Sequence, residues 1–223
     1  MQYLYHPKAS SLELDITGDE YRYLFKVRRH KKETSVHLRN LQDNILYTYE
    51  VISLNRRLAQ IRLIGQRELV VSSAKKLHIA WCIIDPKKIE KILPMLNEIG
   101  VYKITFVYCK RSQKQFKIDM NKLERIAINS SQQSGRSVMM EFDEVASLEE
   151  FIKNYPHSYM LNFSDNTTLT SDMDIETIVI GCEGGFTQDE IILFNEDRII
   201  GLDTPMILRS ESAAVSVASL VLL

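Results

Sequence analysis

The chain changes its hydrophobic rhythm near residue 72. Before that point, residues 36–38, 45–52 and 58–64 are short segments rich in β-branched and aromatic side chains, separated by the polar turns Gln42-Asp43-Asn44 and Leu54-Asn55-Arg56-Arg57. That spacing predicts a small β-barrel. After the polar stretch Ser72-Ser73-Ala74-Lys75-Lys76, residues 77–84 form a continuous apolar run, and Asp85-Pro86 supplies an N-cap and a favoured first helical residue for a helix ending near Gly100. Pro94 falls inside this helix and is expected to kink or shorten it. A strand over 104–108 follows, then a helix from about Asp119 with apolar Leu123, Ile126 and Ala127, stopped by Gly135. Ser147-Leu148-Glu149-Glu150 and Thr187-Gln188-Asp189-Glu190 have capping-box form, and residues 159–163, 177–181 and 198–202 read as strands. Strands alternating with helices predict a parallel sheet with helices on its faces. The expected organisation is therefore α/β, with a β-barrel domain over 1–72 and a larger α/β domain over 73–223.

Composition adds one surprise. Of 223 residues, 45% are hydrophobic and 26% charged, which excludes a disordered chain or a collagen. The net charge of −1 argues at first against a polyanionic partner, yet residues 1–137 carry 25 Lys/Arg against 13 Asp/Glu and residues 138–223 carry 3 against 16. Salt screens charges separated by more than roughly 8–10 Å, so a locally positive surface survives distant carboxylates. Arg28, Arg29, Lys31 and Lys32 follow the aromatic Tyr21, Tyr23 and Phe25, a mixture of cations and stacking surface suited to RNA. Two solvated charged faces account for the same asymmetry, so both readings stay open on charge alone. Cys82, Cys109 and Cys182 lie far apart without a CxxC or a Cys/His cluster, so neither a disulfide framework nor a zinc site is expected, and a reducing cytoplasm fits. The first seven residues hold no signal-peptide apolar stretch, and the run over 213–223 is too short to cross a bilayer, so no membrane partner is expected.

Ligands of open α/β sheets bind beyond the carboxyl ends of the strands. Two late loops stand there. In Gly181-Cys182-Glu183-Gly184-Gly185-Phe186 three glycines permit positive φ and close backbone approach to a ligand; no Gly-Lys-Ser/Thr follows, so this is not a phosphate loop, and a tight turn before a capped helix is the plainer reading. In Leu208-Arg209-Ser210-Glu211-Ser212-Ala213 an arginine and a glutamate at a helix start form either a substrate clamp or a salt-bridged helix end.

Together, Gly181-Cys182-Glu183-Gly184-Gly185-Phe186-Thr187 and Leu208-Arg209-Ser210-Glu211-Ser212-Ala213 resemble the two signature loops of the RsmE-type 16S rRNA (uracil-N3) methyltransferase family, in the SPOUT (trefoil-knot) superfamily. That family usually carries Gly-Pro-Glu-Gly-Gly-Phe and Leu-Arg-Thr-Glu-Thr-Ala. Gln133-Ser134-Gly135-Arg136 is similar to its Glu-Gln-Ser-Gly-Arg, and Asn97-Glu98-Ile99-Gly100-Val101 to its Thr-Glu-Leu-Gly-Val. Order and spacing agree along the whole chain. The departures are Cys182 for proline, Gln132 for glutamate, Asn97 for threonine, and Ser210 and Ser212 for threonines.

The resemblance implies a PUA-like RNA-binding β-barrel domain over 1–72, and over 73–223 a SPOUT methyltransferase domain with a C-terminal trefoil knot. It implies S-adenosyl-L-methionine held in loops around residues 161–164, 181–185 and 202–208, with Leu161, Ile180, Gly181, Glu183, Gly184, Gly185, Leu202, Ile207 and Leu208 as cofactor-binding candidates. Arg209, Glu211 and Arg136 are the catalytic candidates. Arg209 or Arg136 would stabilise the uracil anion, while Glu211 is either a base or an orienter of Arg209. Arg28, Arg29, Lys31, Lys32 and Arg111 are the RNA-binding candidates. The implied partners are 16S rRNA or the small ribosomal subunit and, through the region of residues 211–223, a second copy of the chain. Residues 211–223 are apolar nearly all round if helical and must be buried, which packing into the chain's own core satisfies equally. Arg136 is then a candidate for reaching the partner's cofactor site. No metal is required. The competing expectation is a non-catalytic RNA-binding ribosome-assembly protein that keeps the knotted fold.

Overall fold

A computed structural model describes residues 2–163 and 167–223. The chain forms two compact units, Met1–Ser72 with Ile128–Met139, and Ser73–Ala127 with Met140–Leu223. In the first, β1 (Leu4–Tyr5), β2 (Glu13–Ile16), α1 (Gly18–Tyr21, continued by π-helical turns over Arg22–Val27), β3 (Val36–Arg39), β4 (Ile45–Leu54) and β5 (Ala59–Glu68) follow in sequence. The strands pair in the order β1-β3-β4-β5-β2, with β1 parallel to β3 and the other pairs antiparallel. Register shifts at Thr48/Tyr49 and Val51/Ser53 interrupt the β4–β5 ladder. Bulges of this kind bend and twist a strand, and the sheet curls around Leu14, Ile16, Tyr21, Leu38, Tyr49 and Ile61.

The second unit contains β6 (His78–Cys82), α2 (Pro86–Ile99), β7 (Lys103–Val107), α3 (Met120–Ser134, its last residues counted with the first unit), β8 (Glu141–Val145), α4 (Leu148–Asn154), β9 (Tyr159–Leu161), β10 (Thr177–Ile180), α5 (Gln188–Ile191), β11 (Ile199–Ile200) and α6 (Ser210–Leu222). Its six strands are all parallel, in the order β11-β9-β10-β6-β7-β8. Every residue of β6 is buried, as expected of a strand covered on both faces.

Local signals set most boundaries. The Asp85 carboxylate accepts the Lys87 amide at 2.9 Å, Pro86 opens α2, and Gly100 closes it in the left-handed region at φ 110°. α2 is not shortened at Pro94. Ile89, Leu93 and Leu96 are completely buried along the same helix, and that packing outweighs the local penalty of the proline. The Thr187–Glu190 capping box is complete. At α4 only half of one forms: Ser147 accepts the Glu150 amide, while the Glu150 carboxylate takes the amide of Ala146.

One expectation is corrected. Cys82 and Cys109 form a disulfide with their Cα atoms 5.7 Å apart. In the β6–β7 register Cys82 stands opposite Val107, which brings Cys109, two residues further on, to its side. The separation of 27 residues conceals that adjacency. Cys182 remains a buried free thiol.

Candidate active site

Parallel strands end on one edge, so loops far apart in sequence meet there. Beyond β7, β9, β10 and β11 they enclose a cavity of about 600 Å3, within the range of small-molecule sites. Its wall includes all nine cofactor-binding candidates: Leu161, Ile180, Gly181, Glu183, Gly184, Gly185, Leu202, Ile207 and Leu208. Asn162, Phe163, Met206, Arg209 and Arg111 complete much of the rest. Ser164 lies outside the described residues.

The glycine loop is built differently from the simple expectation of ligand clearance. Gly185 alone of its three glycines has positive φ, at 65°. A Cβ on Gly181 would stand 3.1 Å from the Phe186 ring, and one on Gly184 would stand 3.2 Å from Arg111 Cβ. Two of the glycines therefore admit protein side chains. Arg111, expected on an RNA surface, packs its stem beneath Gly184 and donates to the Gly184 carbonyl at 2.7 Å. Cys182 is buried in the same turn, its thiol directed at the Gly185 carbonyl at 3.8 Å.

Charge gathers at the loop. Lys88, in the first turn of α2, donates to Glu183 at 2.7 Å, and this carboxylate raises the lysine's pKa; Glu211 adds to the same field. Arg209 is exposed on the cavity wall. Among the described residues it forms no ion pair with Glu211, so the salt-bridged helix start is not what the chain builds. Glu211 Oε2 is buried without a hydrogen-bond partner. Beneath the loop, the Trp81 indole donates to Ser210 Oγ at 2.9 Å and Ser210 donates to the Gly181 carbonyl at 2.5 Å.

The remaining candidates belong to the first unit. Arg28, Arg29, Lys31 and Lys32 are exposed; Arg28 stacks over the Tyr23 ring at 5.4 Å and donates to its hydroxyl. Arg136 is 7% exposed. Its Nε donates to Val138 O at 2.8 Å, its carbonyl accepts from the Tyr3 hydroxyl at 2.7 Å, and burial lowers its pKa to about 10. Gln132 accepts the Tyr5 amide at 2.8 Å, so this departure from the family pattern has a structural task.

Comparison with known proteins settles the kinship. The RNA methyltransferase domain family matches residues 71–222, and the RNA methyltransferase PUA domain family matches 16–64. The chain is 42% identical over 224 residues to the ribosomal RNA small subunit methyltransferase E of Helicobacter pylori, covering 99% of both chains. It belongs to the ribosomal RNA small subunit methyltransferase E family. The fold is also that of a methyltransferase from Legionella pneumophila solved with S-adenosylmethionine, at a TM-score of 0.83 and 24% identity over 98% of this chain and 96% of that one. A family member from Neisseria gonorrhoeae, likewise bound to S-adenosylmethionine, superposes with a TM-score of 0.82 at 18% identity, covering 98% and 95%. The two matched domain families account for the PUA-like curled sheet and the parallel methyltransferase sheet of this chain.

Sequence reasoning missed Lys88, Trp81 and the loop-side task of Arg111. For Lys88 the signal was present: a helix capped at Asp85, directly after the β6 strand, starts at the ligand edge of the sheet. For Trp81 and Arg111 it was not, because their partners Ser210 and Gly184 lie 129 and 73 residues away.

Proposed function

We propose that this chain transfers a methyl group from S-adenosyl-L-methionine to N3 of a uridine in 16S rRNA, and so is an rRNA (uracil-N3) methyltransferase. The observation that carries the reading is the convergence of the two signature loops on one cavity, with an arginine on its wall that forms no ion pair among the described residues. The cavity suits the cofactor. Leu161, Ile180, Leu202, Ile207 and Leu208 offer apolar surface to a purine and an alkyl chain, the glycine loop offers backbone groups, and the Glu183 carboxylate, paired with Lys88, stands on the wall of a site for a sulfonium, with Glu211 next in the chain to the lining Ser210. The bound cofactor supplies a methyl group activated on sulfur, for which an in-line nucleophile suffices and no metal is required. The residues of the chain therefore position, exclude water and balance charge.

Uracil N3 must leave its pairing and lose its proton before it attacks, so a looped-out or flipped base is the substrate form. Arg209 stabilises the negative charge that then spreads to O2 and O4. Glu211, with one oxygen unpartnered, orients that region or receives the proton. Arg136, enclosed in its own unit, enters the proposal as a group presented to the cofactor site of a second copy. Residues 1–72 serve as the RNA-binding domain, with Arg28, Arg29, Lys31 and Lys32 on phosphates; residues 73–223 form the methyltransferase domain, in which Arg111 at the glycine loop is a further RNA-binding group. The passage from β9 to β10 and back past β9 to β11, followed by α6, supports a C-terminal trefoil knot. Cytoplasmic action on 16S rRNA or the small subunit completes the reading.

The experiment pairs cofactor calorimetry with methyl transfer to small subunits. Arg209→Ala is expected to lower transfer on the order of 100-fold while leaving cofactor affinity close to the parent's. Arg28→Glu/Arg29→Glu is expected to weaken RNA binding with a shallower salt slope and spare cofactor binding. Equal loss of cofactor affinity in Arg209→Ala overturns its assignment, and unchanged RNA affinity in the charge-reversal variant overturns that of Arg28 and Arg29.

A further inference from the structure

We propose that Trp81 and Ser210 are positioning residues, joined in one hydrogen-bond chain that locks the cofactor loop to the helix start carrying Arg209 and Glu211. The inference rests on the reading of the cavity as the methyl-donor site.

Three segments meet in this chain. Trp81 is fully buried in β6, where its register partner is Ile180, the last residue of β10 before the glycine loop. Ser210 is the first residue of α6 and 5% exposed. Gly181 opens the loop. The indole N–H lies 2.9 Å from Ser210 Oγ, which lies 2.5 Å from the Gly181 carbonyl oxygen.

Chemistry fixes the direction of both bonds. An indole nitrogen only donates and a carbonyl only accepts, whereas a hydroxyl has one proton and can do both. Ser210 must therefore accept from Trp81 and spend its single proton on Gly181. Without the indole, the hydroxyl can turn to other acceptors; with it, one orientation remains. The other side of Gly181 is closed by the Phe186 ring, 3.1 Å from where a Cβ would stand. The loop is thus held from two sides, and Ser210 is the side that also carries Arg209 and Glu211 as its chain neighbours. Movement of the helix start relative to the loop would have to break the part-buried Ser210–Gly181 bond. The chain therefore keeps the group that donates methyl and the charges that face the base in one frame, which is where small displacements weigh heavily on rate.

The test compares Trp81→Phe, Ser210→Ala, Ser210→Thr and the double variant Trp81→Phe/Ser210→Ala with the parent. Cofactor Kd, kcat at saturating cofactor and melting temperature are measured for each. Each hydrogen-bond-deleting single variant is expected to lose about tenfold in kcat, the scale of one buried hydrogen bond. The double variant is expected to lose no more than the worse single, because either break opens the same chain. Ser210→Thr retains the hydroxyl and is expected to recover most of the loss. Cofactor Kd should rise a few-fold in each deletion with the same lack of additivity. Multiplying losses in the double variant, a Ser210→Thr no better than Ser210→Ala, or kcat restored to the parent value by saturating cofactor overturns the proposal. Should Trp81→Phe fail to fold, the Ser210 pair alone decides by its kcat contrast. Absence of transfer by the parent would sink the functional reading instead, and the Kd coupling between Trp81 and Ser210 would still decide this one.

Discussion

At the scale of single residues, the chain puts familiar types to unexpected use. The glycines of the 181–185 loop read in the sequence either as a ligand-facing turn or as a tight turn before a capped helix, and two of them are small because Phe186 and Arg111 occupy the space where a Cβ would stand. That cause depends on residues brought in by folding. His78 is a second case. It is 6% exposed in β6, with Nε2 2.8 Å from Thr105 Oγ1 and its ring edge-on to Phe151 and Tyr155. Burial, aided by the positive charge of Lys103, lowers its pKa to about 4. An unfolded histidine takes up a proton near 6.5, so between pH 6.5 and about 4 the unfolded chain binds more protons than the folded one. Stability from this group is full above pH 6.5 and is lost on acidification toward pH 4, by up to about 3 kcal/mol. Urea unfolding of the parent at pH 7 and pH 4.5, set beside His78→Gln, checks this: the variant should have the smaller drop. An equal drop in both would refute it.

At the scale of elements, capping and periodicity located α2, the body of α3, α4, α5 and every strand from β3 onward except β8. They did not reveal β8, whose Glu141, Asp143 and Glu144 give it the charged face of an edge strand rather than an apolar pattern. Nor did they reveal β1, β2 and the π-helical turns, which are too short for a period to emerge. Proline rules alone would have shortened α2, whereas burial decides its length. α6 was read as a helix that must be buried, and its inner face is: Ala213, Ala214, Val217, Ala218 and Val221 lie in the core. Leu220 and Leu223 remain 39% and 88% exposed. A second copy is the expected cover for this apolar remainder, so light scattering at micromolar concentration should give twice the 25.8 kDa chain mass. A monomer mass would contradict the dimer, and with it the role given to Arg136.

At the scale of the whole molecule, the signature loops gave the kinship. The return of residues 128–139 to the first unit had no trace in the sequence, because α3, which carries residues 128–134, is continuous across the division. The Cys82–Cys109 pairing was hidden for the same kind of reason, being a product of strand register. The charge split gains a location: the exposed cations Arg28, Arg29, Lys31 and Lys32 fall in the first unit, and in the second Glu183 lies on the cavity wall with Glu211 next in the chain to the wall's Ser210. A near-neutral total is thus compatible with a polyanionic substrate and a cationic cofactor, each met by a different part of the chain. The most direct measurement is to incubate the protein with labelled S-adenosyl-L-methionine and small ribosomal subunits, digest the RNA with nuclease, and locate the label by mass spectrometry. The expected result is one methyl group, on N3 of a single uridine of 16S rRNA. Cofactor binding without transfer, as a non-catalytic assembly protein would give, or label on another atom, would contradict it.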